Sequence, residues 1–281
     1  MEKNTFSRSE ELVDFVINKI EFMSAPKDCG VIPGSTPVVS FGDFTRSKVA
    51  TMGINPSSVE FLDKSKNATC NGLYPVGKKR LADLETIGIL SADPLDDDTA
   101  ESYLDEEGAK KIWEASRDYF ISPNAYWQWF GDLEKILAPL SLSYKDSSAC
   151  HLDLSPWATE PVFRELKPTQ QKSLLLGEAD FLRWQVVKSP IEILLLNGAQ
   201  TKESIFSLSD FNLGTVTDFS YTSGGVSRTS EFFEGWGPAG VRIIGWTANL
   251  QALQVTSEEK VMVFDTLIEL IKRAGGARIG Y

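Results

Sequence analysis

Lys48-Val49-Ala50-Thr51-Met52-Gly53-Ile54-Asn55-Pro56-Ser57 is a short apolar run that ends in a turn signal. The run from Lys48 to Met52 is too short for a helix and reads as a buried strand, which Gly53 and the Asn55-Pro56 pair then terminate. Three further runs have the same character: Ala149 to Leu154, Ile191 to Leu196 and Val241 to Ile244. Helical periodicity lies between them, at roughly 105 to 119, 125 to 138, 168 to 187 and 257 to 274. In the last of these Val261, Phe264, Ile268 and Ile271 keep register, with Gly275-Gly276 as the stop. A further helix is predicted to start near Ser7, whose spacing to Glu10 forms a capping box and whose Leu12, Phe15, Val16 and Ile20 share a face. Strands separated by helices predict an α/β fold, three-layer α/β/α, with a central four-stranded, mostly parallel sheet. The segment from 210 to 240, with Gly224-Gly225 and Gly235-Trp236-Gly237-Pro238, predicts a long loop or hairpin over the same sheet edge.

Composition narrows the classes. The chain has 281 residues, 42% hydrophobic and 24% charged, with no linker, charge block or repeat to divide it, so a single domain over 1–281 is expected. No run reaches the length of a membrane span and the first residues do not resemble a secretory signal, so a cytoplasmic, monomeric protein without membrane contact is expected. Cys29, Cys70 and Cys150 are odd in number and far apart, which argues for buried thiols over a disulfide framework or metal cluster. His151 is the only histidine, leaving little material for a metal site or a Ser-His-Asp hydrolase; no metal and no cofactor are expected. A net charge of -11 counts against non-specific coating of nucleic acid, although Arg46, Lys48 and Lys78-Lys79-Arg80 leave room for a local basic rim.

In parallel sheets ligands gather at the carboxyl ends of the strands. Here those ends are Gly53-Ile54-Asn55-Pro56, Asp153 to Pro156, Asn197-Gly198-Ala199-Gln200 and Gly245 to Gln251. An amide such as that of Asn55 can place a water, and a carboxylate such as that of Asp153 can only accept hydrogen bonds when ionised. Each also has a bland reading: Asn55-Pro56 as a tight turn, Asp153 as a cap, His151 as a satisfied core residue.

Gly53-Ile54-Asn55-Pro56 resembles the first motif of the mismatch-specific uracil and thymine-DNA glycosylases, within the uracil-DNA glycosylase superfamily. The resemblance implies that Asn55 orients the water attacking the sugar's anomeric carbon, with Ile54 and Ser57 beside the base. It implies that Tyr74, in Gly72-Leu73-Tyr74-Pro75, stacks on a flipped base, with an ordinary rim or core tyrosine as the alternative. His151-Leu152-Asp153-Leu154-Ser155-Pro156 is similar to the strand ending by which such enzymes read the pyrimidine edge. Asp153 stands where uracil enzymes carry asparagine, and an acceptor there suits the N4 amine of cytosine. Ser57 replaces the bulky tyrosine that walls off the pyrimidine 5-position in classical uracil enzymes, leaving room for a 5-substituent.

The resemblance further implies DNA contacts at Asn197 and Gly198, through backbone N–H groups that hold a phosphate, and at Trp246, Asn249 and Leu250. Leu250 matches the wedge leucine, while Trp246 occupies the place of the histidine that stabilises the leaving base. The implied activity is that of a monofunctional DNA glycosylase excising a hydroxymethylated or glucosylated cytosine of phage DNA, as an antiviral defence. Uracil or mismatched-thymine repair is the nearest alternative, a non-catalytic nucleotide- or protein-binding α/β domain the alternative of another class, and a metal-dependent nuclease a third.

Overall fold

The four apolar runs form strands, each displaced by a residue or two from the sequence expectation: β1 (Val49–Gly53), β2 (Ala149–Asp153), β3 (Ile193–Asn197) and β6 (Arg242–Trp246). They lie parallel, in the order β2-β1-β3-β6. The computed structural model describes residues 9–63, 74, 78–89 and 104–275.

The sheet has six strands, not four. β4 (Asn212–Ser223) and β5 (Val226–Trp236) form an antiparallel ribbon that pairs with β6 and completes the order β2-β1-β3-β6-β5-β4. Their Ser- and Thr-rich alternation carries no continuous apolar run, so only the turn signal marks them in the sequence. That turn is Gly224-Gly225, with φ of 59° and 76° at the two residues, the positive values that a two-residue hairpin turn requires.

Residue parity divides the sheet's side chains between two cores. Ala50, Met52, Leu152, Leu194, Leu196 and Ile243 join one cluster with residues of α1 (Ser9–Glu21), α2 (Glu106–Arg117), α4 (Pro168–Gly177) and α5 (Ala179–Lys188). Val49, Ala149, Ile193, Leu195, Ile244 and Trp246 join the other with residues of α3 (Trp127–Leu137) and α7 (Ser257–Gly275). β3, buried along its whole length, is the central strand. Each fully buried Leu or Ile contributes roughly 1.5–3 kcal/mol, so this two-sided burial is the main stabilising element.

Several local expectations need correction. The helix read over 168 to 187 is two, because the chain breaks between Gly177 and Ala179. Val261 is exposed, and the buried stripe of α7 starts at Val263 and Phe264 and continues through Leu267, Ile268 and Ile271. The Ser7 cap of α1 falls outside the described residues, whereas Leu12, Val16 and Ile20 are buried and Phe15 stacks on Trp184 with ring centroids 4.4 Å apart. No described helix is long and apolar enough to cross a membrane.

The strand order locates the site. From β1 the chain moves outward to β2, then returns past β1 to β3, so successive connections leave β1 in opposite directions. The crevice outside the carboxyl ends of β1 and β3 is where ligands bind in sheets of this kind. Arg46 and Lys48 precede β1 and lie at the opposite pole, so they form no rim to this crevice.

Candidate active site

A cavity of about 600 Å³ occupies the crevice. Its floor is the end of β1 and the following bend, Gly53 to Ser57, and its walls include His151 and Asp153 of β2, the turn from Asn197 to Thr201, and Thr247 and Asn249. Phe41, Tyr126, Trp129, Phe130 and Phe163 supply an aromatic lining. Volume and mixed lining are those of a small-molecule site, which spans roughly 300–1,000 Å³.

Asn55 is fixed from one side. Its Nδ2 donates to the Trp157 carbonyl at 3.0 Å and to Thr159 Oγ1 at 3.2 Å, both in the loop after β2. Both amide hydrogens are therefore engaged, while the carbonyl oxygen has no protein partner among the described residues and is the group available to a ligand or water. The bend itself is held by the Ser155 N–H, which donates to the Ile54 carbonyl at 2.9 Å. Ser57 is exposed at the rim and caps the short 3-10 turn Ser58–Glu60.

Gly53 is required by what packs on it. A Cβ there would lie 2.4 Å from Asp153 Oδ1 and 3.0 Å from His151 Nε2. Any other residue would displace the two polar groups of β2, so the first glycine of the motif is set by side-chain packing across the parallel pair, in which Gly53 stands opposite Asp153.

His151 and Asp153 form the end of a buried chain. Tyr144 OH and Thr51 Oγ1 are 2.6 Å apart, Thr51 Oγ1 and His151 Nδ1 2.7 Å, and His151 Nε2 and Asp153 Oδ1 3.4 Å. Thr51 Oγ1 also lies 3.4 Å from the Cys150 carbonyl, so its hydroxyl is held between Tyr144, His151 and the backbone of β2. Burial pushes the Tyr144 phenol well above its ordinary range, which keeps it a donor. The imidazole is enclosed by Phe41 and Phe130, with centroids at 5.7 and 5.2 Å.

Glu60, which nothing in the sequence singles out, is the second carboxyl of the cavity. It is only 2% exposed and accepts the Tyr119 hydroxyl on Oε2 at 2.7 Å. Burial raises its pKa to about 7; the Tyr119 hydrogen bond and Arg80 pull the other way, and Asp153 pushes it further up. Among the described residues no lysine lines the cavity.

The other strand ends depart from expectation. Trp246 is fully buried and its indole N–H donates to Asn197 Oδ1 at 2.9 Å, so it does not face the cavity. Leu250 is also fully buried, its N–H donating to the same oxygen at 3.2 Å; it is a core residue in this conformation and not a protruding wedge. Asn197 Nδ2 donates to Gln251 Oε1 at 2.6 Å, so every polar atom of that amide side chain is engaged internally. Gly198, at φ +100°, gives its N–H to the Trp246 carbonyl at 2.8 Å and not to the cavity. What remains at this edge is the first turn of α6 (Ala199–Phe206), whose residues Ala199, Gln200 and Thr201 line the cavity, and the exposed Asn249.

Tyr74 is not among the cavity-lining residues. Its hydroxyl accepts from Arg80 Nη1 at 2.6 Å and the guanidinium lies 4.8 Å from its ring, a cation–π pair that covers one face of the ring. The half-buried aromatics at the cavity are instead Tyr126 and Trp129. In sequence they belong to the aromatic-rich start of a helix, which reads as core. Arg164, 79% exposed at its side chain, is the cation at the mouth. Among the described residues no group of His, Cys, Asp and Glu could hold a metal ion.

No family model matches the chain, and no curated protein matches it.

Proposed function

We propose that this protein is a monofunctional DNA glycosylase that takes a flipped nucleotide into the crevice and hydrolyses its N-glycosidic bond, with a 5-substituted cytosine as the preferred base. The observation that carries the reading is one cavity holding an amide carbonyl, Asn55, with its own donors engaged elsewhere, together with an acceptor-only carboxylate, Asp153. Breaking the bond builds positive charge on the sugar, which the Asn55 dipole favours while it places the attacking water. Asp153, which lies 3.4 Å from His151 Nε2, accepts from an exocyclic amine. Ser57 at the open rim leaves space for a substituent, and a cavity of about 600 Å³ exceeds what a bare pyrimidine fills. The first turn of α6 offers N–H groups for a phosphate, which suits an acidic protein whose affinity for DNA does not rest on a basic surface. In infected bacteria such an activity would place abasic sites in phage DNA.

Release of free base is the test. Oligonucleotides carrying uracil, a mispaired thymine, cytosine, 5-hydroxymethylcytosine or glucosylated hydroxymethylcytosine are incubated with the protein, and abasic sites are revealed by alkaline cleavage. Strand scission confined to the modified cytosines supports the reading; cleavage of uracil or mispaired thymine alone replaces it with the repair activity; cleavage of none rejects it.

A further inference from the structure

Glu60 closes the turn that follows the Asn55-Pro56 bend, and its carboxyl lines the same cavity. Its surroundings direct a proton. Tyr119 OH accepts the Tyr126 N–H at 2.9 Å, which turns its own hydrogen toward Glu60 Oε2. Oε1 has no protein partner among the described residues, so a proton on Glu60 resides there and is free to reach a ligand. The nearby cation does not neutralise the carboxyl by direct contact: Arg80 donates to the Asn124 carbonyl at 2.9 Å, to Tyr74 OH and to the Val59 carbonyl. The other groups around Glu60 and its cavity are Asp153 and His151 from β2, Tyr119, Tyr126 at the start of α3, and Arg164 at the mouth. A buried carboxyl near a second carboxylate, with no ion-pair partner among the described residues, is most stable keeping its proton.

We propose that Glu60 is the acid that protonates the departing base, passing the proton on Oε1 to N3 or O2 of a cytosine-type ring as the glycosidic bond breaks. The role rests on the glycosylase reading above and answers a chemical need of it. A cytosine anion is a poorer leaving group than a uracil anion, so its departure requires a proton. The C1′–N1 bond breaks with its electron pair going to the base, and the base leaves neutral with the Glu60 proton. The water held by Asn55 forms the new C1′–O bond and loses its surplus proton to solvent, from which Glu60 is recharged. Protonation at about neutral pH fits this cycle.

The test is single-turnover release of base from an oligonucleotide carrying one glucosylated hydroxymethylcytosine, measured across pH for wild type, Glu60→Gln and Tyr119→Phe. The wild-type rate should fall as pH rises through about 7. Glu60→Gln should lower the rate roughly hundredfold below that pH and abolish the falling limb. Tyr119→Phe, which removes the donor favouring the carboxylate, should move the limb to higher pH. In the free protein the wild-type minus Glu60→Gln infrared difference spectrum should show a protonated carboxyl band that disappears over the same range. Release by wild type with a Glu60→Gln profile that keeps both rate and limb overturns the proton-donor role alone, as does absence of the band below pH 7. No release by wild type, with the band present, overturns the glycosylase reading and this catalytic role with it. If Glu60→Gln fails to fold, the displaced limb of Tyr119→Phe decides, and an unmoved limb overturns the role.

Discussion

Asn55 and Asn197 stand at the carboxyl ends of neighbouring parallel strands, yet the fold uses them in opposite ways. Asn55 engages its two donors with the loop after β2 and leaves its oxygen to the cavity. Asn197 engages both ends of its amide, accepting from Trp246 and Leu250 and donating to Gln251, and ties the ends of β3 and β6 together. The difference teaches that an amide at a strand end is available for chemistry only to the extent that its hydrogen-bonding capacity is not consumed within the protein. The β1–β2 half of the edge keeps spare side-chain capacity in Asn55, Asp153 and Glu60, whereas at the ends of β3 and β6 the side chains of Asn197 and Trp246 are closed on each other.

The strongest way to break this comparison is Asn55→Ala. It should reduce single-turnover base release on the order of a thousandfold by removing the group that places the nucleophile, while the two hydrogen bonds lost to the loop after β2 cost about 1–3 kcal/mol of stability. A rate within tenfold of wild type would mean that the β1 end is no more reactive than the β3 end. Leu250→Ala sharpens the other side. A core leucine predicts a loss of about 3 kcal/mol in urea unfolding, whereas a side chain serving only as a DNA wedge would leave stability intact and impair base release.

Next in size is a pH effect on stability. Glu60 has its folded pKa raised from 4.5 to about 7, so the native state holds a proton that the unfolded chain has released. Its contribution is fully present below about pH 4.5 and is lost as pH rises through about 7. Glu60→Gln, which carries no charge at any pH, should therefore gain on wild type by on the order of 2 kcal/mol between pH 5 and pH 8. Equal pH dependence of the two urea midpoints would count against a protonated Glu60. The smallest effect is that of Trp246→Phe, which removes one donor to Asn197 while keeping the ring; about 1 kcal/mol of stability should go, with base release changed less than threefold. A large catalytic loss from this substitution would return Trp246 to the site.

The four parallel strands were legible because burial on both faces demands continuous apolar runs, whereas their order in the sheet is set by the connections and packing between them. The ribbon of β4 and β5 was marked only by Gly224-Gly225, since one solvated strand needs no apolar face to form. At the site, Asn55, Asp153 and His151 could be placed because a motif adjoining a strand inherits that strand's end. Which way a side chain points was not legible: Trp246 and Leu250 stand at the correct strand end, but both are buried on packing and hydrogen bonds to Asn197, distant in sequence. Glu60 was invisible for a similar reason. Beside Ser57 and Ser58 it looks like a solvated turn residue, and only its burial, with Asp153 from a distant part of the chain adding to it, raises its pKa to about 7.

The irregularity in β4 bears on how the protein behaves among its own copies. β4 is the last strand of the sheet, so one side of its backbone is free to template another chain. Leu213 and Val216 are both exposed, and the ladder to β5 shifts register between them. Asp218 adds an exposed charge just beyond. A bulge of this kind bends the strand and spoils the regular repeat that an incoming strand would copy, so the apolar end of the edge is protected by its geometry against stacking into aggregates.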